Sequence, residues 1–371
     1  MLHTFWIGEK DLDKEQSKAV QGIPLSESFL LRGPAGSGKT NILLLRSKWL
    51  KLKKLSEFRI VVFTSSLRSF VQAGCEQYGI PPENVVTGIQ FLKNLLAEYN
   101  VDFESSGNFE ADRTLLAGKA KALLESKGIA EIYDALLVDE AQDYTDTELL
   151  VFRKLTSRLV LAADARQSIY RATHTPGLLE KLVADSVVSL KYHYRSGLKI
   201  CIVADAILKD SANFPAVRGE CKYDEKARPS SVVLVECASF TSQIQTILEK
   251  LTPQLSLYPG EKIGVLFPKR EQEVQFSDAL ADSAVAEKDR VWTDTLHGAK
   301  GWEFRAVHIG GCEALYKMGA IQKRLVYTGV LRGRTSATLY FSGSVPGYLE
   351  GAVSLLLPPQ EDPDMAKLFG S

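Results

Sequence analysis

The chain has 371 residues, 45% hydrophobic and 24% charged, and its 45 Lys and Arg balance 45 Asp and Glu. That length holds two domains at roughly 100–200 residues each, and the composition is that of an ordinary soluble globular protein. No apolar run reaches the roughly 18 residues of a membrane span, so no membrane partner is expected. The neutral balance confines any nucleic-acid contact to a local groove. The first residues, "MLHTFWIGEKDLDKEQ", lack a basic segment followed by an apolar one, so no signal peptide is expected and the cytoplasm is the default compartment. Five scattered cysteines (Cys75, Cys201, Cys221, Cys237, Cys312) form no C-x-x-C pair and read as free, buried thiols rather than a metal site.

In chain order, strands are predicted at 29–33, 59–65, 135–141, 158–164 and 187–192, then at 231–238, 262–268, 306–311 and 337–343, with helical stretches between them. Continuous apolar runs alternating with helices predict buried parallel strands and a doubly wound α/β architecture. The first strand leads into "GPAGSGKT", a G-x-x-x-x-G-K-T phosphate-loop pattern spanning Gly33, Pro34, Ala35, Gly36, Ser37, Gly38, Lys39 and Thr40. In such a loop backbone N–H groups curl around phosphate oxygens at a helix N-terminus, and glycines allow the turn. Lys39 would reach the β- and γ-phosphates and the Thr40 hydroxyl would bind Mg²⁺, so ATP and Mg²⁺ are the expected ligands. The basic residues that follow, Arg46, Lys48, Lys51, Lys53 and Lys54, read as a solvated helix face. The third predicted strand ends in "LLVDEAQD", where Asp139 would hold Mg²⁺ and Glu140 would activate the attacking water. A second carboxylate directly after the first points to hydrolysis. Residues 211–231 and 357–371 read as a loop and a tail.

The order of these and later motifs resembles the UvrD/Rep-type DNA helicases of superfamily 1A, over about residues 12–341. "LDKEQSKAV" is similar to the family's Q motif, in which Gln16 would read the adenine edge. "DEAQD" is the family's Walker B form, with Gln142 coupling nucleotide to DNA. "LAADARQSIY" resembles motif III, placing Gln167 near the γ-phosphate. "LKYHYRS" resembles L-x-x-N-Y-R-S, in which Tyr194 would stack on adenine and Arg195 would contact the γ-phosphate. "TLHGAKGWEF" resembles T-x-H-x-x-K-G-L-E-F, so Gly301 and Glu303 would face the nucleotide and His297 the nucleic-acid backbone. "LVYTGVLRGR" resembles motif VI and sets Arg332 at the arginine-finger position. Phe63 and Thr64 match the F-T of motif Ia, and Thr87 lies in a stretch like T-x-H-S-F; these would contact nucleic acid. The resemblance implies two tandem RecA-like P-loop domains with parallel sheets and an ATP site in the cleft between them. The expected domains are 1–186, with a small helical insertion at about 92–134, and 187–371.

Two departures matter. The insertion at 92–134 and the stretch 271–294 leave no room for the family's large accessory domains, and "SIYRATHTPG" (168–177) lacks the aromatic platform on which a base would stack, a contact worth roughly 1–3 kcal/mol. His174 there reads as a loop histidine. Two functions are therefore expected to compete. One is an ATP-driven single-stranded DNA motor, with 3′–5′ polarity implied by the resemblance and RNA not excluded. The other is an ATPase switch for a protein partner, such as a nuclease or toxin. No nuclease motif is attached to the core.

Overall fold

The computed structural model describes residues 6–167, 175–209 and 216–357. They form two compact units. The first is drawn from Met1–Ser196, Gly219–Tyr223 and Asp294–Glu303, the second from Gly197–Arg218, Asp224–Thr293 and Phe304–Ser371. The boundary expected at 186/187 is thus crossed: residues 187–196 and 294–303 pack with the first unit.

The first unit is built on six strands: β1 (Phe29–Arg32), β2 (Phe58–Val62), β3 (Val85–Thr87), β4 (Ala135–Val138), β5 (Leu159–Ala163) and β6 (Val187–Ser189). They form one parallel sheet in the order β3-β2-β4-β5-β1-β6. Side chains alternate across a strand, and both faces here are apolar. Phe29, Leu31, Ile60, Val62, Leu137 and Ala162 join a core covered by the helices Lys39–Leu52 and Ser65–Tyr78. Leu30, Val61, Leu136, Val138, Leu159 and Leu161 join a second core on the other face, covered by Gly88–Glu98, Phe109–Lys127 and Asp146–Leu155. Burial on both faces is why these strands read as unbroken apolar runs.

The second unit carries β7 (Ser231–Glu236), β8 (Ile263–Phe267), β9 (Val291–Thr295), β10 (Phe304–Ile309) and β11 (Gly333–Phe341) in the parallel order β7-β11-β10-β8-β9. Helices Phe240–Leu257 and Arg270–Asp282 bury Ile247, Leu251 and Phe276 against Ile263, Val265 and Phe267. The α/β class expected from sequence is observed, with two all-parallel sheets.

β3 and β9 were not among the predicted strands. β3 has only three residues, and β9 fully buries only Val291, so neither presents a long apolar run. Arg46 corrects the solvated-face reading of 46–54. It is 2% exposed, its guanidinium donates to the carbonyls of Val20, Ile23 and Pro24, and it lies over the Phe29 ring. The helix Lys39–Leu52 is buried around most of its girth, so a basic position on it can end up inside. Of the cysteines, Cys75, Cys201 and Cys312 are buried and Cys221 and Cys237 half-buried, and none of them is in a disulfide. Among the described residues no helix is long and apolar enough to cross a membrane.

Candidate functional site

In a parallel sheet, ligands gather beyond the carboxyl ends of the strands. That edge of the first unit carries the loops after β1 (33–38), β4 (139–143), β5 (164–167) and β6 (190–196).

The glycine-rich loop turns through Gly36 (φ 70°) and Gly38 (φ 88°), both left-handed. Gly38 starts the helix Lys39–Leu52, and no side chain caps its first turn. Uncapped N-terminal N–H groups with the helix dipole behind them form an anion-binding end. Lys39 Nζ folds across the loop, donating to the carbonyls of Gly33 (2.8 Å) and Pro34 (3.0 Å), while the buried Ser37 hydroxyl has no partner.

The Thr40 hydroxyl donates to Asp139 Oδ2 at 2.7 Å, so the two predicted Mg²⁺ ligands meet at one point. Two oxygen donors suit Mg²⁺, which keeps water and phosphate for its remaining positions. No cluster of three or more His, Cys, Asp or Glu fit to hold a metal occurs among the described residues. Burial, followed by repulsion from Glu140, pushes the Asp139 carboxyl up to about 6.

Glu140 has φ 52° and ψ 42°. A non-glycine residue in this region costs roughly 1–2 kcal/mol and is held only by its surroundings. Those surroundings are a buried chain of hydrogen bonds. Gln142 Nε2 donates to the Glu140 carboxylate, and Gln142 Oε1 accepts the Asp164 N–H at 2.9 Å. Gln167 Nε2 donates to Asp164 Oδ2 at 2.8 Å. Lys300 closes the ring: its ammonium binds the Asp143 carboxylate, donates to the Gln167 carbonyl at 2.6 Å and lies 3.6 Å from Glu140 Oε2. Burial pushes the Asp143 carboxyl up to about 7 despite this lysine.

The segment 190–196 lies on the glycine-rich loop. Leu190 N–H donates to the Arg32 carbonyl and Tyr194 N–H to the Gly36 carbonyl. A Cβ on Gly36 would fall 2.6 Å from the Arg195 Cβ and 2.7 Å from the His193 ring. The Arg195 guanidinium pairs with Glu303, while its Nε and Nη1 are buried without a partner. Tyr194 keeps an exposed ring and donates its hydroxyl to Asp13 Oδ2 at 2.5 Å. Gln16 turns toward the loop: its Nε2 donates to the Ser37 carbonyl (2.9 Å) and its Oε1 accepts the Asp13 N–H (3.0 Å). Gly301 (φ 93°) rests on Leu67, whose atoms leave no space for a Cβ.

The first unit therefore contains Gln16, the loop 33–40, Asp139, Glu140, Gln167, Tyr194, Arg195, Gly301 and Glu303, with Gly301 set against Leu67. Arg332 belongs to the second unit, 2% exposed, with Nε donating to the Thr328 carbonyl.

The residues expected to touch nucleic acid have structural employment. Phe63 is 7% exposed, edge-on to Tyr144 and Phe109 and under the Arg113 guanidinium at 4.8 Å. Thr64 and Thr87 each cap a helix, accepting the N–H of Leu67 and Gln90. His297 is half-buried, which holds its imidazole below the ordinary histidine value. His174 and the rest of 168–174 lie outside the described residues.

Sequence reasoning passed over Lys300, Asp143 and His193. The first two stand inside motifs already quoted, "HGAKGWEF" and "DEAQD", so the signal was present. His193 stands where the resembled motif has Asn, and a pattern match gives a mismatch no role.

A scan against protein-family models finds no model that matches this chain, and a search of curated proteins finds no matching relative.

Proposed function

We propose that this chain is an ATP hydrolase of the superfamily 1A helicase type, built on two RecA-like units. The observation that carries the reading is the 2.7 Å contact between Thr40 and Asp139, set between an uncapped helix start and the strained Glu140. On this reading that combination would serve as a phosphate cradle, a magnesium ligand pair and a base along one carboxyl edge.

On this reading the N–H groups of 36–40 bind the phosphates and Lys39 exchanges its loop carbonyls for phosphate oxygens. Bound Mg²⁺ would supply charge neutralisation on the phosphate oxygens and be held by Thr40 and Asp139. The Glu140 carboxylate accepts the proton of the attacking water, oriented by Gln142 and with the Lys300 ammonium 3.6 Å from its Oε2. Arg195 offers two unengaged nitrogens to the charge developing on the transferring phosphoryl, a contribution of roughly 10³–10⁵ in rate when an arginine is so used. The exposed Tyr194 ring supplies a face for the base.

Coupling to single-stranded DNA is the part of the proposal that the strand-side residues support least. Phe63 is buried, and Thr64 and Thr87 are engaged as caps. That observation favours a second reading, a partner-regulating ATPase switch with little unwinding of its own. Steady-state ATP hydrolysis with and without single-stranded DNA or RNA, with Glu140→Gln as control, separates the two. Stimulation by nucleic acid, abolished in the variant, supports a motor. Hydrolysis indifferent to nucleic acid supports the switch, and no hydrolysis by the wild type in any condition removes both.

A further inference from the structure

His193 is completely buried and is held on every side. Its backbone N–H donates to the Glu220 carbonyl and its carbonyl accepts the Lys222 N–H. Its ring joins two separate pieces of chain. Nδ1 bonds the carbonyl of Ala35 in the glycine-rich loop, and Nε2 accepts the Ser196 N–H at 2.8 Å. A carbonyl can only accept and an N–H can only donate, so the proton sits on Nδ1 and the ring is neutral. Burial, with the nearby Arg195 and Lys39 charges, holds the imidazole down to about 3, which keeps the ring neutral across the working pH range.

Arg195 lies inside the turn that this ring closes. The residue before it is tied to Gly36 by its N–H, and the residue after it is tied to the His193 ring. We infer that His193 is a positioning residue for the proposed ATP reaction, clamping the 193–196 turn onto the phosphate loop so that Arg195 is aimed by the same loop that binds the phosphates. The inference rests on the ATP reading. It assigns a function to the one position of "LKYHYRS" that departs from L-x-x-N-Y-R-S: an imidazole carries its donor and acceptor on opposite sides of a ring and can span two chain segments.

The test is binding of ADP and of the non-hydrolysable analogue AMP-PNP, each with Mg²⁺, by calorimetry. The wild type should prefer AMP-PNP, and Arg195→Ala should lose that preference. His193→Leu fills the volume without the hydrogen bonds. It should lower the AMP-PNP to ADP affinity ratio by about tenfold, the scale of one charge-assisted hydrogen bond. The double variant should lose no more than Arg195→Ala alone. His193→Asn, which keeps a donor and an acceptor, should stay within about threefold of wild type. If His193→Leu does not fold, His193→Met, which also lacks the ring's hydrogen bonds, carries the same comparison. Equal weakening toward both nucleotides, or losses that multiply in the double variant, overturns the positioning role while leaving the ATP reading intact. A wild type that binds neither nucleotide overturns both.

Discussion

The carboxyl edge of the six-stranded sheet and the interior of the five-stranded one both bury polar groups, and the two sets differ in how fully they are partnered. In the second unit the sets around His308, Gln243 and Arg305 are closed, although Gln272 Oε1 and Thr328 Oγ1 elsewhere in it have no partner. His308 donates from Nε2 to Gln254 Oε1 (2.7 Å) and accepts the Tyr340 hydroxyl at Nδ1 (2.8 Å). Gln243 donates to Glu313 and Ser342 and accepts the Gly311 N–H. Arg305 forks onto Glu261. In the first unit, Asp139, Glu140 and Asp143 crowd within five residues, Glu140 is strained, and Ser37 Oγ, Arg195 Nε and Nη1 and Asp143 Oδ1 have no partner. Nearly all buried polar groups in folded proteins are paired. Single unpartnered atoms such as Trp49 Nε1 and Thr328 Oγ1 occur elsewhere, but at the carboxyl edge they coincide with backbone strain and crowded carboxylates, the combination expected where stability is traded for function.

The largest test of that contrast is Glu140→Gln. Removing the proposed general base should lower the hydrolysis rate by about 10²–10⁴-fold while nucleotide binding, measured separately, is retained. A loss of binding in step with rate would make Glu140 a structural residue like those of the second unit.

Next comes Arg113→Met, beneath the same edge. Arg113 binds Glu148, which is 1% exposed, and donates to the Asp143 carbonyl at 2.6 Å. Stranding that carboxylate should cost about 3–5 kcal/mol in urea unfolding. Arg305→Met in the second unit leaves Glu261, 19% exposed and within reach of water, and should cost about 1–3 kcal/mol. Equal losses would erase the distinction between a sealed and a vented pair.

The pH dependence differs in sign between Asp139 and His308, while His193 of the first unit shares the sign of His308. The folded Asp139 carboxyl titrates near 6, above its unfolded value of 3.8. The folded state therefore holds a proton that the unfolded state has released, and this group's contribution to stability falls as pH rises from about 4 to about 6. Asp139→Asn abolishes that term, so without nucleotide the variant should gain on wild type by on the order of 1–3 kcal/mol between pH 4 and 7. In the second unit burial holds the His308 imidazole down to about 3. There the unfolded state takes up the proton first, and stability falls as pH drops below about 6.5. A pH-independent gap between Asp139→Asn and wild type would remove the acidic half of the contrast.

The smallest effect expected is at Tyr194→Phe. The lost hydrogen bond to Asp13 is exposed and should change stability by less than about 1 kcal/mol. Nucleotide affinity should hold, because the proposed use is the ring face; a large loss would shift the role to the hydroxyl.

The sequence by itself determined the periodicity and the local chemistry. Unbroken apolar runs follow from burial on both faces of a parallel sheet, which is why β1, β2, β4, β5, β8 and β10 could be read directly. The glycine-rich loop was equally plain, because its conformation is set within eight residues. Tertiary structure alone decided what depends on partners distant in the chain. Arg46 is buried rather than solvated because the carbonyls of 20, 23 and 24 surround it. Phe63 is a core ring because Arg113, fifty residues on, covers it. Lys300 reaches Asp143, and His193 reaches Ala35, across more than 150 residues. A buried charge or ring is stable only with its counterpart, and no local pattern states which distant residue that counterpart is.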